Sequence, residues 1–191
     1  MLRIALTILS ASFAFSGASA STASARRVGD VEVPDTIDLG DKRLVLNGAH
    51  LYEASIFEID IFVAALWLET RTSRSGEASR CEGPVEFDFF WLHEPSLGQL
   101  TAPWRETMRA NAGADLPRLE ARIEQLMDAL REPLEGDRWR FVYLPETGMT
   151  IYFNAKPVTT IVGRDFCQLF IGGHVGPTAD AGMRKGLLGK R

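Results

Sequence analysis

Residues 51–69 read LYEASIFEIDIFVAALWLE, a stretch that belongs in a β-sheet and argues against a helix. Positions 57, 59, 61 and 63 are apolar while 58 and 60 are acidic, a period of two that a 3.6-residue helix does not produce. Two strands meeting near Phe57 fit this pattern. From Phe62 to Leu68 no polar residue intervenes, so the second strand is expected to be covered on both faces.

Residues 26–40 read as an extended leader, with Pro34 blocking helix and Val31 and Val33 alternating with acids. A strand over 43–46 is expected to turn at Asn47-Gly48, a dipeptide suited to positive backbone dihedrals, and to form a hairpin with the strand after it. Between 69 and 84 the composition shifts to Arg, Ser, Thr, Glu and Gly, marking an exposed loop. Residues 85–93, VEFDFFWLH, return to strand chemistry with an aromatic density suited to a face packed by helices.

Helices come next. Thr101 is expected to cap one that carries Pro103 in its first turn and stops at Gly113; Asp115 caps the next, with Pro117 in its first turn. Leu116, Leu119, Ile123, Leu126 and Leu130 form a single stripe on that second helix, read as core packing. Residues 138–144, 149–153 and 157–162 read as three more strands, turning at 146–148 and 154–155, and helices near 165–170 and 179–188 close the chain. The order predicts an α+β domain: an antiparallel sheet with helices on one face.

The first residues, MLRIALTILSASFAFSGASASTASA, have one cation, an uncharged apolar run and two A-x-A sites. They read as a signal peptide over 1–25, cut after Ala20 or Ala25, and predict a periplasmic or secreted product whose single domain occupies 26–191. No later run is long enough for a transmembrane helix, so no stable membrane insertion is expected after cleavage. The formal charge of −4 becomes about −5 when Arg3 is removed, which offers no basic footprint for nucleic acid or anionic lipid. Cys81 and Cys167 are either one disulfide or two thiols, and spacing alone leaves both open. Without a CxxC, and with His50, His93 and His174 scattered, neither a metal nor a cofactor is expected.

Two segments carry a resemblance. LNGAHLYEASIFEIDIFVAALWLE (46–69) resembles the part of chalcone isomerase-like proteins that reads roughly L-N/G-G-A-G-x-R, a turn, then a strand ending A-L-Y-L-E. IVGRDFCQLFIGGHVGPTADAGMRKGLLG (161–189) resembles the ending of the bacterial members, G-x-x-F-x-x-x-L-F-x-x-W-L-G-x-x-P with a terminal L-L-G. The resemblance implies an open-faced β-sandwich, a large antiparallel sheet backed by helices with an apolar cleft between them. Plant enzymes of the family close a flavanone ring, related plant proteins bind fatty acids without catalysis, and most bacterial members lack an assigned activity.

Ring closure moves negative charge onto a carbonyl oxygen, so a fixed cation or strong donor must face that oxygen. Matching GAHLY to the family's G-A-G-x-R places Tyr52 where the enzymes have an arginine, His50 where they have a glycine, and Phe62 where they have a threonine. A phenol donates one hydrogen bond and no charge, and losing such a stabiliser typically costs about 2.7 to 4 kcal/mol of barrier. The same arginine is the natural partner of a carboxylate, with Arg43 and Arg138 the other strand arginines on offer.

The ligand-lining set expected from the sequence is His50, Tyr52, Phe62, Trp67 and Trp104, with Trp91 and Trp139 as further cleft candidates. His93 and His174 have no partner legible in the sequence, and Ser96 and Cys167 read as a helix cap and a packing residue. The leading expectation is a binder of a small apolar molecule, fatty-acid-like or aromatic, without efficient catalysis. The alternatives are an intramolecular lyase acting on an enone, with Tyr52 and His50 in the arginine's place, and a structural or partner-binding envelope protein.

Overall fold

In the computed structural model, which describes residues 24–54 and 59–190, seven strands pair in chain order into one antiparallel sheet. They are β3 (Thr36–Leu39), β4 (Lys42–Ala54), β5 (Ile59–Leu68), β6 (Val85–Trp91), β7 (Arg138–Leu144), β8 (Gly148–Phe153) and β9 (Lys156–Ile161). β1 (Ala25–Val28) and β2 (Val31–Pro34) form a separate hairpin, so the expected leader is paired strand rather than a bare extension. Residues 1–23, most of the expected signal segment, and the strand junction near Phe57 lie outside the described residues.

Residues 62–68 are buried throughout, as their unbroken apolar run requires, and the alternation of β5 divides them between two layers. Phe62, Ala64, Leu66 and Leu68 face the main core under the helices. Val63, Ala65 and Trp67 face the other side, where Leu44, Leu46 and the hairpin residue Val33 close a second, smaller core. On that outer face Glu86 and Asp88 are buried beneath Arg138 and Arg140: Arg138 Nε donates to Asp88 Oδ2 at 2.9 Å, and Arg140 grips Glu86 through two nitrogens at 2.9 and 2.8 Å.

The turn expected at Asn47-Gly48 is not there. β4 runs straight through the pair, with a bulge that shifts its register against β5 between Leu46 and Gly48. The buried Asn47 side chain donates to the Leu187 carbonyl at 2.7 Å and accepts from the Thr72 N–H at 2.7 Å. A Cβ on Gly48 would stand 2.6 Å from the Leu187 carbonyl oxygen, so glycine is needed for the close approach of the C-terminal helix and not for a reverse turn. The bulge also flips the alternation of β4. Leu44 and Leu46 point to the outer core, while His50 pairs with Ala64 and Tyr52 with Phe62 on the helix side.

The expected loop at 69–84 includes a single helical turn, α1 (Ser75–Ala78), and Cys81 is buried. Cys81 is bonded to Cys167, with their Cα atoms 6.2 Å apart. This resolves the open cysteine question and corrects the reading of Cys167 as a packing residue only.

α2 (Leu97–Ala112) begins one turn before the start expected at Thr101, and the reading of Ser96 as a helix cap holds. Its cap is Ser96, whose hydroxyl accepts from the Gln99 N–H while Gln99 Oε1 accepts from the Ser96 N–H at 2.8 Å, a reciprocal pair that Thr101 has no partner to form. Thr101 instead donates to the Leu97 carbonyl from inside the helix at 2.9 Å. Pro103 is therefore interior, and the Gln99 carbonyl lacks its usual i+4 donor. α3 (Leu116–Ala129) buries Leu119, Ile123, Leu126 and the following Leu130, with Leu116 half-buried at its start.

α4 (Arg164–Val175) is twice the expected length, and α5 (Ala181–Leu187) lies across β4. The result is an open-faced β-sandwich, one curled antiparallel sheet with helices packed on one face. No helix among the described residues is long and apolar enough to cross a membrane.

Candidate functional site

Between the sheet and the helix layer lies a cavity of about 510 Å³. Tyr52, Ile61, Phe62 and Phe89 form its sheet side, and α2 supplies Leu100, Trp104 and Met108. Phe170, Gly173 and His174 of α4 close the far wall, and Thr178, Asp180 and Met183 stand at the α4–α5 end.

Strand pairing explains the floor. Tyr52 and Phe62 are register partners, and their rings stack at 4.9 Å with planes 7° apart, a geometry set by adjacent strands whose side chains leave the same face. Phe62 meets Phe89 edge to face at 5.1 Å, and Phe89 meets Trp104 at 5.2 Å, so the aromatic wall continues from sheet to helix.

Of the five residues expected to line a ligand site, the structure brings Tyr52, Phe62 and Trp104 to this cavity. Trp67 is on the other face of the sheet. It is wholly buried in the outer core and its indole N–H donates to the Pro34 carbonyl at 2.9 Å. Phe62 and Trp67 are an odd number of positions apart on one continuous strand, so they cannot share a face.

His50 shares Tyr52's face but is covered by α5. A Cβ on Gly186 would stand 2.8 Å from His50 Cβ, and one on Gly182 would stand 3.0 Å from Cε1. That burial lowers the His50 pKa, against the opposing charges of Asp180 and Glu53. Trp91 and Trp139 are buried in the aromatic cluster behind the wall and are not part of the lining. Arg43 pairs with Asp38, exposed, and Arg138 lies on the outer face, so neither reaches the cavity.

His174 is a lining residue with no signal in the sequence to mark it. Its Nδ1 is 2.8 Å from the Phe170 carbonyl one helical turn back, and its ring centroid is 4.7 Å from that of Phe87, 4.8 Å from Phe170 and 5.7 Å from Trp104. Enclosure by aromatic carbon pushes its pKa down to about 4, so at neutral pH the ring is uncharged. His93 also lines the cavity.

The lining has a plain electrostatic character. Among the described residues it includes no lysine or arginine, and Asp180 is its one carboxylate, spent in part on capping α5 through the Met183 N–H at 2.8 Å. Nor do three or more His, Cys, Asp or Glu side chains gather anywhere among the described residues in a way that would hold a metal ion. Such a cavity can exclude water, stack a ring and exchange neutral hydrogen bonds. It has no fixed positive charge for an oxyanion.

A family model described as chalcone isomerase-like matches residues 25–189. The crystal structure of an Arabidopsis thaliana fatty-acid binding protein superposes with a TM-score of 0.66 at 11% identity, over 87% of this chain and 95% of that one. At that identity the likeness is one of fold. No curated protein matches the chain.

Proposed function

Because the chain belongs to the chalcone isomerase-like family, we propose that its cavity takes up one small, mostly apolar molecule and carries it without efficient catalysis. The observation that carries this reading is an aromatic-walled cavity of about 510 Å³ with no cation on its lining among the described residues. A volume of that order suits a single small molecule, and a mostly apolar wall with a few polar groups is the usual make-up of a ligand site.

The fatty-acid binding protein of the same fold supports a carrier role for the architecture. Tyr52 at the position of the enzymes' arginine argues against ring closure, since no guanidinium on the lining takes over that charge among the described residues. The expected result is a raised thermal midpoint with uncharged apolar compounds and no chalcone turnover over the solution background. Turnover that is lost in Tyr52→Phe would overturn the non-catalytic part, and indifference to every apolar compound would overturn the rest.

We also propose that the protein is exported, on the strength of the signal-like first residues. The Cys81–Cys167 bond supports an oxidising compartment. Cleavage after Ala20 suits the fold better than cleavage after Ala25. The Ser24 carbonyl accepts from the Asp35 N–H at 2.7 Å and Ala25 pairs with Pro34, contacts that the later cut would remove. The exported chain is expected to begin at Ser21, and its intact mass reads this directly.

A further inference from the structure

We propose that the cavity's occupant is an uncharged molecule whose hydroxyl or N–H group donates a hydrogen bond to Nε2 of His174 while its apolar remainder lies among Phe89, Trp104 and Phe170. The inference rests on the reading of the cavity as a binding site and specifies the ligand's chemistry. It starts from the tautomer. A carbonyl oxygen 2.8 Å from Nδ1 accepts a hydrogen bond, so Nδ1 bears the proton. In a neutral imidazole the other nitrogen is then a lone-pair acceptor, and no hydrogen bond to Nε2 is made by any described residue.

The ring stands on the cavity wall with aromatic neighbours at 4.7 to 5.7 Å on several sides. His174 is half-buried on that wall, so Nε2 is an acceptor that a ligand's donor can reach and satisfy. The rest of the lining disfavours an anion. Asp180 contributes negative charge, and no arginine or lysine answers it among the described residues. A carboxylate would place its lone pairs against that of Nε2. A phenol, an alcohol or an amide N–H satisfies the nitrogen, and the stacked rings of Tyr52 and Phe62 beside Phe89 favour a flat apolar body.

The test uses the folded chain and three probes of one shape, naphthol, its methyl ether and naphthoate, titrated near neutral pH by calorimetry. Naphthol is expected to bind about tenfold more tightly than the ether, the worth of one neutral hydrogen bond, with naphthoate weakest. In His174→Phe, the preference for naphthol over the ether is expected to vanish. Equal binding of naphthol and ether by the unaltered protein, tighter binding of naphthoate, or a preference unmoved by His174→Phe would each overturn the proposal. Should His174→Phe not fold, the ranking of the three probes on the unaltered protein decides alone. Binding of none of the three, nor of a straight-chain alcohol, would overturn the ligand-binding reading itself, an outcome distinct from naphthol and ether binding alike.

Discussion

Two titratable side chains, His174 half-buried on the cavity wall and Asp88 buried under the outer face, give the protein opposing responses to pH. His174 has its pKa pushed down to about 4 by burial, below its ordinary 6.5, so the unfolded chain binds the extra proton between those values. Its contribution to stability is present above 6.5 and is lost as pH falls through 4. Asp88 is pushed up from 3.8 to about 7 by burial and by the neighbouring Glu86, so the folded chain holds the proton there. Its contribution is complete below 3.8 and is lost as pH rises through 7. The two windows overlap between 4 and 6.5, where the slopes offset each other. Urea midpoints measured across that range are expected to fall with rising pH more steeply in His174→Phe than in the unaltered protein, and to rise in Asp88→Asn. Parallel profiles for all three proteins would contradict both assignments. At this scale, the sequence pointed to Tyr52, Phe62 and Trp104 as lining residues but hid both the stacking of the first two and His174. Its partner is a backbone carbonyl one turn back on a helix expected to end at Phe170, because Gly172 and Gly173 discourage helix.

The bulge at Asn47-Gly48 is the element on which the site depends. It turns His50 and Tyr52 to the helix side of the sheet while Leu44 and Leu46 keep the outer core closed. Gly48→Ala is expected to cost about 3 kcal/mol, the range of backbone overpacking in a closed core, since the added carbon meets the carbonyls at the end of α5. Gly76→Ala, where a Cβ meets nothing within 4 Å, is the control and is expected to be near neutral. Denaturant titration of both checks this. Strands were legible wherever alternation and aromatic density coincide, as in 85–93 and 138–162. An Asn-Gly pair serves a hairpin or a bulge equally well, and what selects the bulge here is the Leu187 carbonyl, 140 positions away. The start of α2 was legible in part. Ser96 and Thr101 both read as caps, and the Ser-x-x-Gln spacing of 96–99, which Thr101 lacks, marks Ser96 as the one that forms the reciprocal pair.

Across the molecule, the Cys81–Cys167 bond ties the segment after β5 to α4, the helix that presents Phe170 and His174. A bridge closing a loop with a sequence separation of 86 contributes about 4.6 kcal/mol on the chain-entropy account. Cys81→Ser with Cys167→Ser is expected to lower unfolding free energy by about that amount, and the unaltered protein with reductant should match it. The overall architecture could be read from the order of strands and helices and from the family resemblance. The division of β5 between two cores could be read in principle from parity, since Phe62 and Trp67 must point apart.

The claim beneath the rest is that the cavity between sheet and helices is where a small apolar molecule goes. The most direct measurement is a fluorescence titration with N-phenylnaphthylamine, an uncharged apolar probe, on the unaltered protein and on Thr107→Trp. Thr107 is exposed on α2 at the edge of the lining, so the larger ring plugs the opening without entering the core. Saturable binding at one site, abolished or weakened at least tenfold by the plug in a protein that still unfolds cooperatively, is the expected result. Binding that is absent, or that survives the plug unchanged, would contradict it.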